Sequence, residues 1–266
     1  MPALTWIAHH RLLTLSIGFG LLVVSLAAAV WFIAFRSPGS QIDLRQALRI
    51  YRQDQRSVRS GGDQRLPPSG VYRYRTTGYE KLSFGGISRS FPAMSEMIVT
   101  NGGCSTMSWE PLQQHMEGVR VCPLADGALA VRSSSSYEQI AGVRNVNVIA
   151  CPATTYFVPP DPRPGLRWHA TCHATGQTLQ LSGQIIGPSS VNVGAHKVPA
   201  LHTRLTFTIS GAESGTNPSD YWISTSDGLI LRERETVDVS QRTGPLGSIR
   251  YLEEMAISVA SQAPSR

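Results

Sequence analysis

Three small groups of side chains in this sequence have the types and spacing that chemistry requires. His169 and His173 flank Cys172 in a β-rich run. Four residues apart with period two, they point to one side of a strand, which makes a metal site only when a third ligand arrives. Glu233 and Glu235 share one strand face while Arg232 and Arg234 share the other. Paired carboxylates can act as general acid and base, provided burial drives their pKa values apart. The plainer reading is preferred for both pairs: histidines at polar positions on an exposed face, and Arg-Glu-Arg-Glu as a solvated edge with cross-strand ion pairs. The third group is aromatic. Trp168, Phe207, Tyr221 and Trp222 are core residues of a β domain in the first instance, and become a ligand wall if the sheet is curled and open at one end.

No catalytic or metal-binding residue is assigned and no cofactor is expected. There is no G-x-S-x-G elbow, G-x-x-x-x-G-K-[ST] loop, H-E-x-x-H pair or calcium-loop ladder. Ser133 to Ser136 reads as a loop or strand edge without catalytic signature. An enzyme is therefore not expected, and an envelope hydrolase is the least favoured reading.

Positioning begins at the amino terminus. Leu12 to Phe35 contains no charged side chain, with Trp6 and Trp31 near its ends. At ~1.5 Å per residue this run exceeds the ~20 residues that span a ~30 Å hydrocarbon core. It is read as one uncleaved transmembrane helix behind a short cytoplasmic tail, residues 1–11. The competing reading is a signal peptide cut after Ala27-Ala28-Ala29, but that would leave Val30 to Phe35 as an exposed apolar end.

Two rules then disagree about sidedness. Arg36, Arg45, Arg49, Arg52 and Arg56 follow the span and by lysine and arginine counting would hold the remainder in the cytoplasm. Cys104, Cys122, Cys151 and Cys172 all fall in the large domain, and an even count outside the cytosol pairs into disulfides. The cysteines are weighted more heavily, which puts a C-terminal domain on the extracytoplasmic face of the plasma (inner) membrane. Four free thiols in a cytoplasmic domain is the alternative. Pairing in sequence, Cys104 with Cys122 and Cys151 with Cys172, is expected because successive strands tend to be neighbours.

The net charge of +6 is concentrated beside the membrane. Residues 36–75 hold nine arginines against Asp43, Asp54 and Asp63, whereas residues 76–266 carry 14 basic and 15 acidic groups. The five named arginines suit anionic headgroups. A near-neutral domain without a basic stripe argues against a nucleic-acid partner. Lys81 and Lys197 are the only lysines, a skew that points to high-GC coding.

Within residues 36–70, Leu44, Ala47, Leu48 and Tyr51 fall at helical spacing, predicting a short amphipathic helix on the interface or extending the anchor. Ser57 to Gly70 reads as linker. Residues 71–266 alternate with a period of two between turn signals such as Asn101-Gly102-Gly103 and Asp227-Gly228. The clearest strand, 197–209, points Leu201, Thr203, Leu205, Phe207 and Ile209 one way. Thr178 to Ile186 is another, closed by Gly187-Pro188. The fold class is mainly β: a curled antiparallel sheet, half-barrel or sandwich, after one transmembrane helix.

The stretch from Val193-Gly194 through Val198-Pro199-Ala200, Tyr221-Trp222 and Asp227-Gly228-Leu229 resembles the lipoprotein-carrier type of half-barrel, in which a curled sheet encloses an apolar hollow. The chain as a whole is similar to membrane-anchored envelope proteins of high-GC Gram-positive bacteria. The resemblance covers roughly residues 190–259, and its residues are structural. It implies a non-enzymatic envelope protein that binds an apolar ligand or lipid, or docks on an envelope protein partner. The alternative is an accessory or structural subunit of a membrane complex with no ligand cavity.

Overall fold

Alternating apolar positions need a common interior to point into, and here a single sheet supplies it by closing on itself. The computed structural model describes residues 39–55, 65–83, 86–140, 143–242 and 247–266. The strands are β1 (Gly70–Leu82), β2 (Ser88–Ser90), β3 (Met94–Asn101), β4 (Ser105–Leu112) and β5 (His115–Pro123). They continue as β6 (Leu129–Ile140), β7 (Val143–Ala150), β8 (Tyr156–Val158), β9 (Arg167–Ala174) and β10 (Gln177–Val193). The last four are β11 (His196–Gly211), β12 (Glu213–Ser224), β13 (Ile230–Arg242) and β14 (Ser248–Val259).

These form one antiparallel 14-stranded sheet, mostly in chain order, with β8 set aside on β6. β14 returns to pair with β1 from Tyr74↔Val259 to Leu82↔Tyr251. The expectation of a half-barrel or sandwich is thus corrected to a ring, and closure leaves neither terminal strand as a bare template for aggregation. The closing pair is tight at Gly78, whose φ is +139° and where a Cβ would stand 2.1 Å from the Glu254 carbonyl oxygen. A side chain there would force β1 and β14 apart.

The ring has one thin place. β7 and β9 share a single ladder pair, Ala150↔His173. Cys151 and Cys172, the next residues along, are bonded with Cα atoms 4.4 Å apart. Cys104 and Cys122 are likewise bonded across β4 and β5, with Cα atoms 4.2 Å apart. Both expected pairings are present. Near the seam, β8 pairs with β6 and buries Phe157 edge-on against Tyr221 at 5.4 Å.

β10 does not stop at Gly187-Pro188. It runs on to Val193 through a bulge between Ile185 and Gly187, a place where a sheet tolerates proline. Trp168 lies flat over Gly183, where a Cβ would approach its Cε2 to 2.1 Å.

Inside, the end of the ring bearing the turns at 102–104, 124–128, 194–195 and 225–229 is packed solid. Tyr72, Tyr74, Leu181, Ile185, Ile223 and Leu231 are fully buried there. Tyr74 donates its hydroxyl across the interior to the Ile230 carbonyl at 2.5 Å. The opposite end is hollow.

Outside, helix α1 (Leu44–Gln55) starts at Asp43, whose Oδ1 accepts the Gln46 N–H at 2.8 Å. So short a helix is marginal alone. It is held by Ile42, Ala47 and Tyr51 packing on Val71 of β1 and Ile98 of β3. Its apolar face is therefore spent on the barrel and is not the face it could lay on a membrane. Arg45, Arg49 and Arg52 are exposed on the other side. The tail 1–11, the span Leu12–Phe35, Arg36, Arg56 and most of the linker lie outside the described residues. Among the described residues no helix is long and apolar enough to cross a membrane.

Candidate functional site

Several inward positions carry carboxylates where a filled barrel would carry Val, Leu or Ile. The same alternation that buries Met255, Ile257 and Val259 on β14 sends Glu253 into the lumen, and β13 sends in Glu233 and Glu235. Glu117 on β5 and Glu138 on β6 face them. These five border a cavity of about 600 Å³. Its mouth is the hollow end, rimmed by Leu82, Ile140, Arg144, Gln177, Glu213 and Gln241. The walls include Met107, Leu179, Phe207, Ile209 and Tyr221, and among the described residues Arg144 is the one basic side chain of the lining.

Glu233 and Glu235 are thus not a solvated edge: they are 6% and 8% exposed. Glu235 accepts hydrogen bonds from Asn217 Nδ2 at 2.7 Å and Ser219 Oγ at 3.1 Å. Arg232 and Arg234, on the other face of β13 as expected, point outward over the Trp222 indole at 5.3 and 5.9 Å. Burial pushes the Glu233 carboxyl well up, with the neighbouring Glu235 adding to it. Burial also raises Glu235, Glu117 and Glu138. A cation entering such a lumen would draw these buried carboxyls back to their ionised form, because the dielectric is low and an opposite charge nearby favours the carboxylate.

Beside this wall lies a second arrangement centred on His115, which is fully buried. Its ring is wedged edge-on between Phe91 at 5.0 Å and Trp109 at 5.5 Å. Nδ1 lies 3.2 Å from Glu80 Oε2. Nε2 faces Glu253 Oε1 at 3.6 Å and Glu117 Oε1 at 3.7 Å. Glu80 is also paired with Arg89. Tyr251 Oη is 2.6 Å from Glu253 Oε2 and 3.1 Å from Glu80 Oε2. Burial opposes a charged imidazole, but Glu253 and Glu80 outweigh it and raise His115 to about 9. Burial raises Glu253 to about 8, against the pull of His115. Glu80 ends below the usual carboxylate range because His115 and Arg89 overcome its burial.

Of the four aromatics proposed as a ligand wall, Phe207 and Tyr221 line the cavity. Trp222 does not, because neighbours in a strand face opposite ways. It stacks outside on His202 at 4.3 Å, and His202 in turn bonds Asp220 at 2.8 Å. Trp168 is buried over Gly183, donating its indole N–H to the Tyr156 carbonyl at 3.1 Å, and does not border the hollow. His169 and His173 are exposed on the outer face of β9. Ser133 to Ser136 belongs to the body of β6, not to a loop, and Ser134, Ser135 and Ser136 line the cavity. His115, Glu80, Glu117, Glu138 and Glu253 were not singled out from sequence. One signal existed for Glu253: a carboxylate in register with Tyr251, Met255, Ile257 and Val259 on an otherwise apolar face.

No family model matches the sequence, and no curated protein matches it. Among solved structures the chain is similar to the hypothetical lipoprotein YmcC of Escherichia coli (K12). That match has 14% identity and a TM-score of 0.35, and it covers 85% of this chain and 100% of that one. A likeness at this distance transfers no site residue. The resemblance to envelope proteins of high-GC Gram-positive bacteria gains no family support.

Proposed function

We propose that the chain is a non-enzymatic cell-envelope protein whose barrel lumen takes up an amphiphilic ligand carrying a positive charge. The carrying observation is the composition of the hollow: apolar walls, an open mouth, and several glutamates with Arg144 as the one basic side chain among the described lining residues. A volume of about 600 Å³ suits a small amphiphile or part of a lipid. Its apolar part would lie on Leu179, Phe207 and Ile209, and its cation against Glu233 and Glu235. This narrows the apolar-ligand reading of the sequence to one charge type. The cavity weighs against an accessory subunit with a filled interior. Two disulfides support an oxidising compartment, and with the apolar run at Leu12–Phe35 they favour a membrane-anchored, extracytoplasmic placement.

The test is calorimetric titration of the purified chain with octyltrimethylammonium, octanol and octanoate, each below its micellar concentration. The cation should bind at least about tenfold more tightly than the anion, since one desolvated charge pair exceeds the ~1.4 kcal/mol that a factor of ten requires. The double variant Glu233→Gln, Glu235→Gln should lose that preference while still binding octanol. Equal affinity for cation and anion, or no binding of any of the three, refutes the reading.

A further inference from the structure

We infer that His115, Glu253 and Glu117 form a binding site for a first-row divalent cation of the Zn²⁺ class, with Glu80 orienting the imidazole. Two buried atoms at this place have no hydrogen-bond partner among the described residues: Nε2 of His115 and Oε1 of Glu253. Both residues are completely buried, and the two atoms face each other at 3.6 Å. That is too long for a hydrogen bond. It is close to the spacing of two ligands on one metal, since bonds of ~2.0–2.2 Å in a tetrahedron put ligand atoms about 3.3–3.6 Å apart. Glu117 Oε1 stands at 3.7 Å from the same nitrogen, and a turn of this partly exposed side chain would bring it to the metal as a third oxygen.

The surroundings fit ligation. With Nδ1–H of His115 donating to Glu80 at 3.2 Å, a metal that displaces the other ring proton meets an Nε2 lone pair pointing into the gap. Arg89 holds Glu80 from the other side. Tyr251 occupies Oε2 of Glu253 at 2.6 Å, leaving Oε1 as the free oxygen. Phe91 and Trp109 fix the ring plane. One imidazole with carboxylates suits zinc, manganese or iron better than a soft-ligand metal. Glu117 and Glu253 also line the cavity, so the remaining coordination position opens toward the lumen. The site uses different residues from the Glu233 and Glu235 pair, so either proposal can fail without the other.

The experiment takes the full chain, freed of metal by chelation, and titrates it with Zn²⁺ against a competing chelator, with stoichiometry read by elemental analysis. One Zn²⁺ per chain is expected. His115→Ala and Glu253→Gln should abolish stoichiometric uptake, and Glu80→Gln should weaken it about 10–100-fold, as loss of an orienting partner does. The double variant His169→Ala, His173→Ala controls for the exposed histidines and should bind normally. Substituting Co²⁺ in the unmutated chain should give intense visible bands of four-coordinate geometry, a readout that survives if a core variant fails to fold. No stoichiometric Zn²⁺, or uptake that disappears with His169 and His173 instead, overturns the proposal and leaves a protonated His115 as the cation at this place.

Discussion

Replacing Glu96 by glutamine should give the protein a pH dependence that differs from the parent in a calculable way. Glu96 lies on the outward face of β3 beneath α1, 3% exposed, and its Oε2 has no hydrogen-bond partner among the described residues. Arg73, half in solvent, reaches Oε1 only at 3.4 Å. Burial therefore dominates and raises the carboxyl to about 7, with Arg73 resisting and Asp43 assisting. In the unfolded chain the same group titrates near 4.5. Below that value both states are protonated and there is no penalty. Between about 4.5 and 7 the unfolded chain loses its proton first, so stability falls as pH rises, and above 7 the loss is complete. The difference in pKa corresponds to about 3 kcal/mol. The amide does not ionise, so the stability of Glu96→Gln minus that of the parent should rise by about 3 kcal/mol between pH 4 and pH 8, whatever constant offset the substitution introduces. Urea unfolding followed by tryptophan fluorescence at several pH values, with the disulfides intact, measures this. A difference that stays flat across that range would refute the claim that α1 buries an inadequately paired carboxylate.

The two disulfides should be equal in global effect and unequal in local effect. Loops of 18 and 21 residues each predict about 3 kcal/mol of lost stability on replacement by serine, on the chain-entropy estimate. Hydrogen exchange in β7 and β9 should accelerate only in the Cys151→Ser, Cys172→Ser variant, because one ladder pair is all that otherwise holds that seam; matching protection in both variants would contradict this. Gly183→Val should cost at least about 2 kcal/mol, read from the thermal midpoint, because Trp168 occupies the space a Cβ needs. An unchanged midpoint would show that the indole can move aside.

Local chemistry made much of the barrel wall legible. Period-two alternation located the strand at 197–209, and Asp227-Gly228 marked the hairpin between β12 and β13. The cysteine pairs followed because each bridges directly opposed positions of neighbouring strands, β4 and β5 for one and β7 and β9, with the short β8 between them in the chain, for the other. Helix α1 was readable from Leu44, Ala47, Leu48 and Tyr51, but not what those residues touch. Alternation also said that Glu233 and Glu235 share a face; applied to Tyr221 and Trp222 it separates them, which the grouping of both in one ligand wall overlooked. Whether that face is wet or enclosed depends on the pairing of β14 with β1, strands at opposite ends of the domain. Ring closure turned an ordinary Arg-Glu-Arg-Glu run into buried acids with their arginines outside. It likewise brought His115 to Glu80 and Glu253, which have no local relation in sequence. Strand periodicity is a property of neighbouring residues and survives in the sequence. The sign and dryness of an interior belong to the sum of inward faces, and that sum exists only once the sheet has closed.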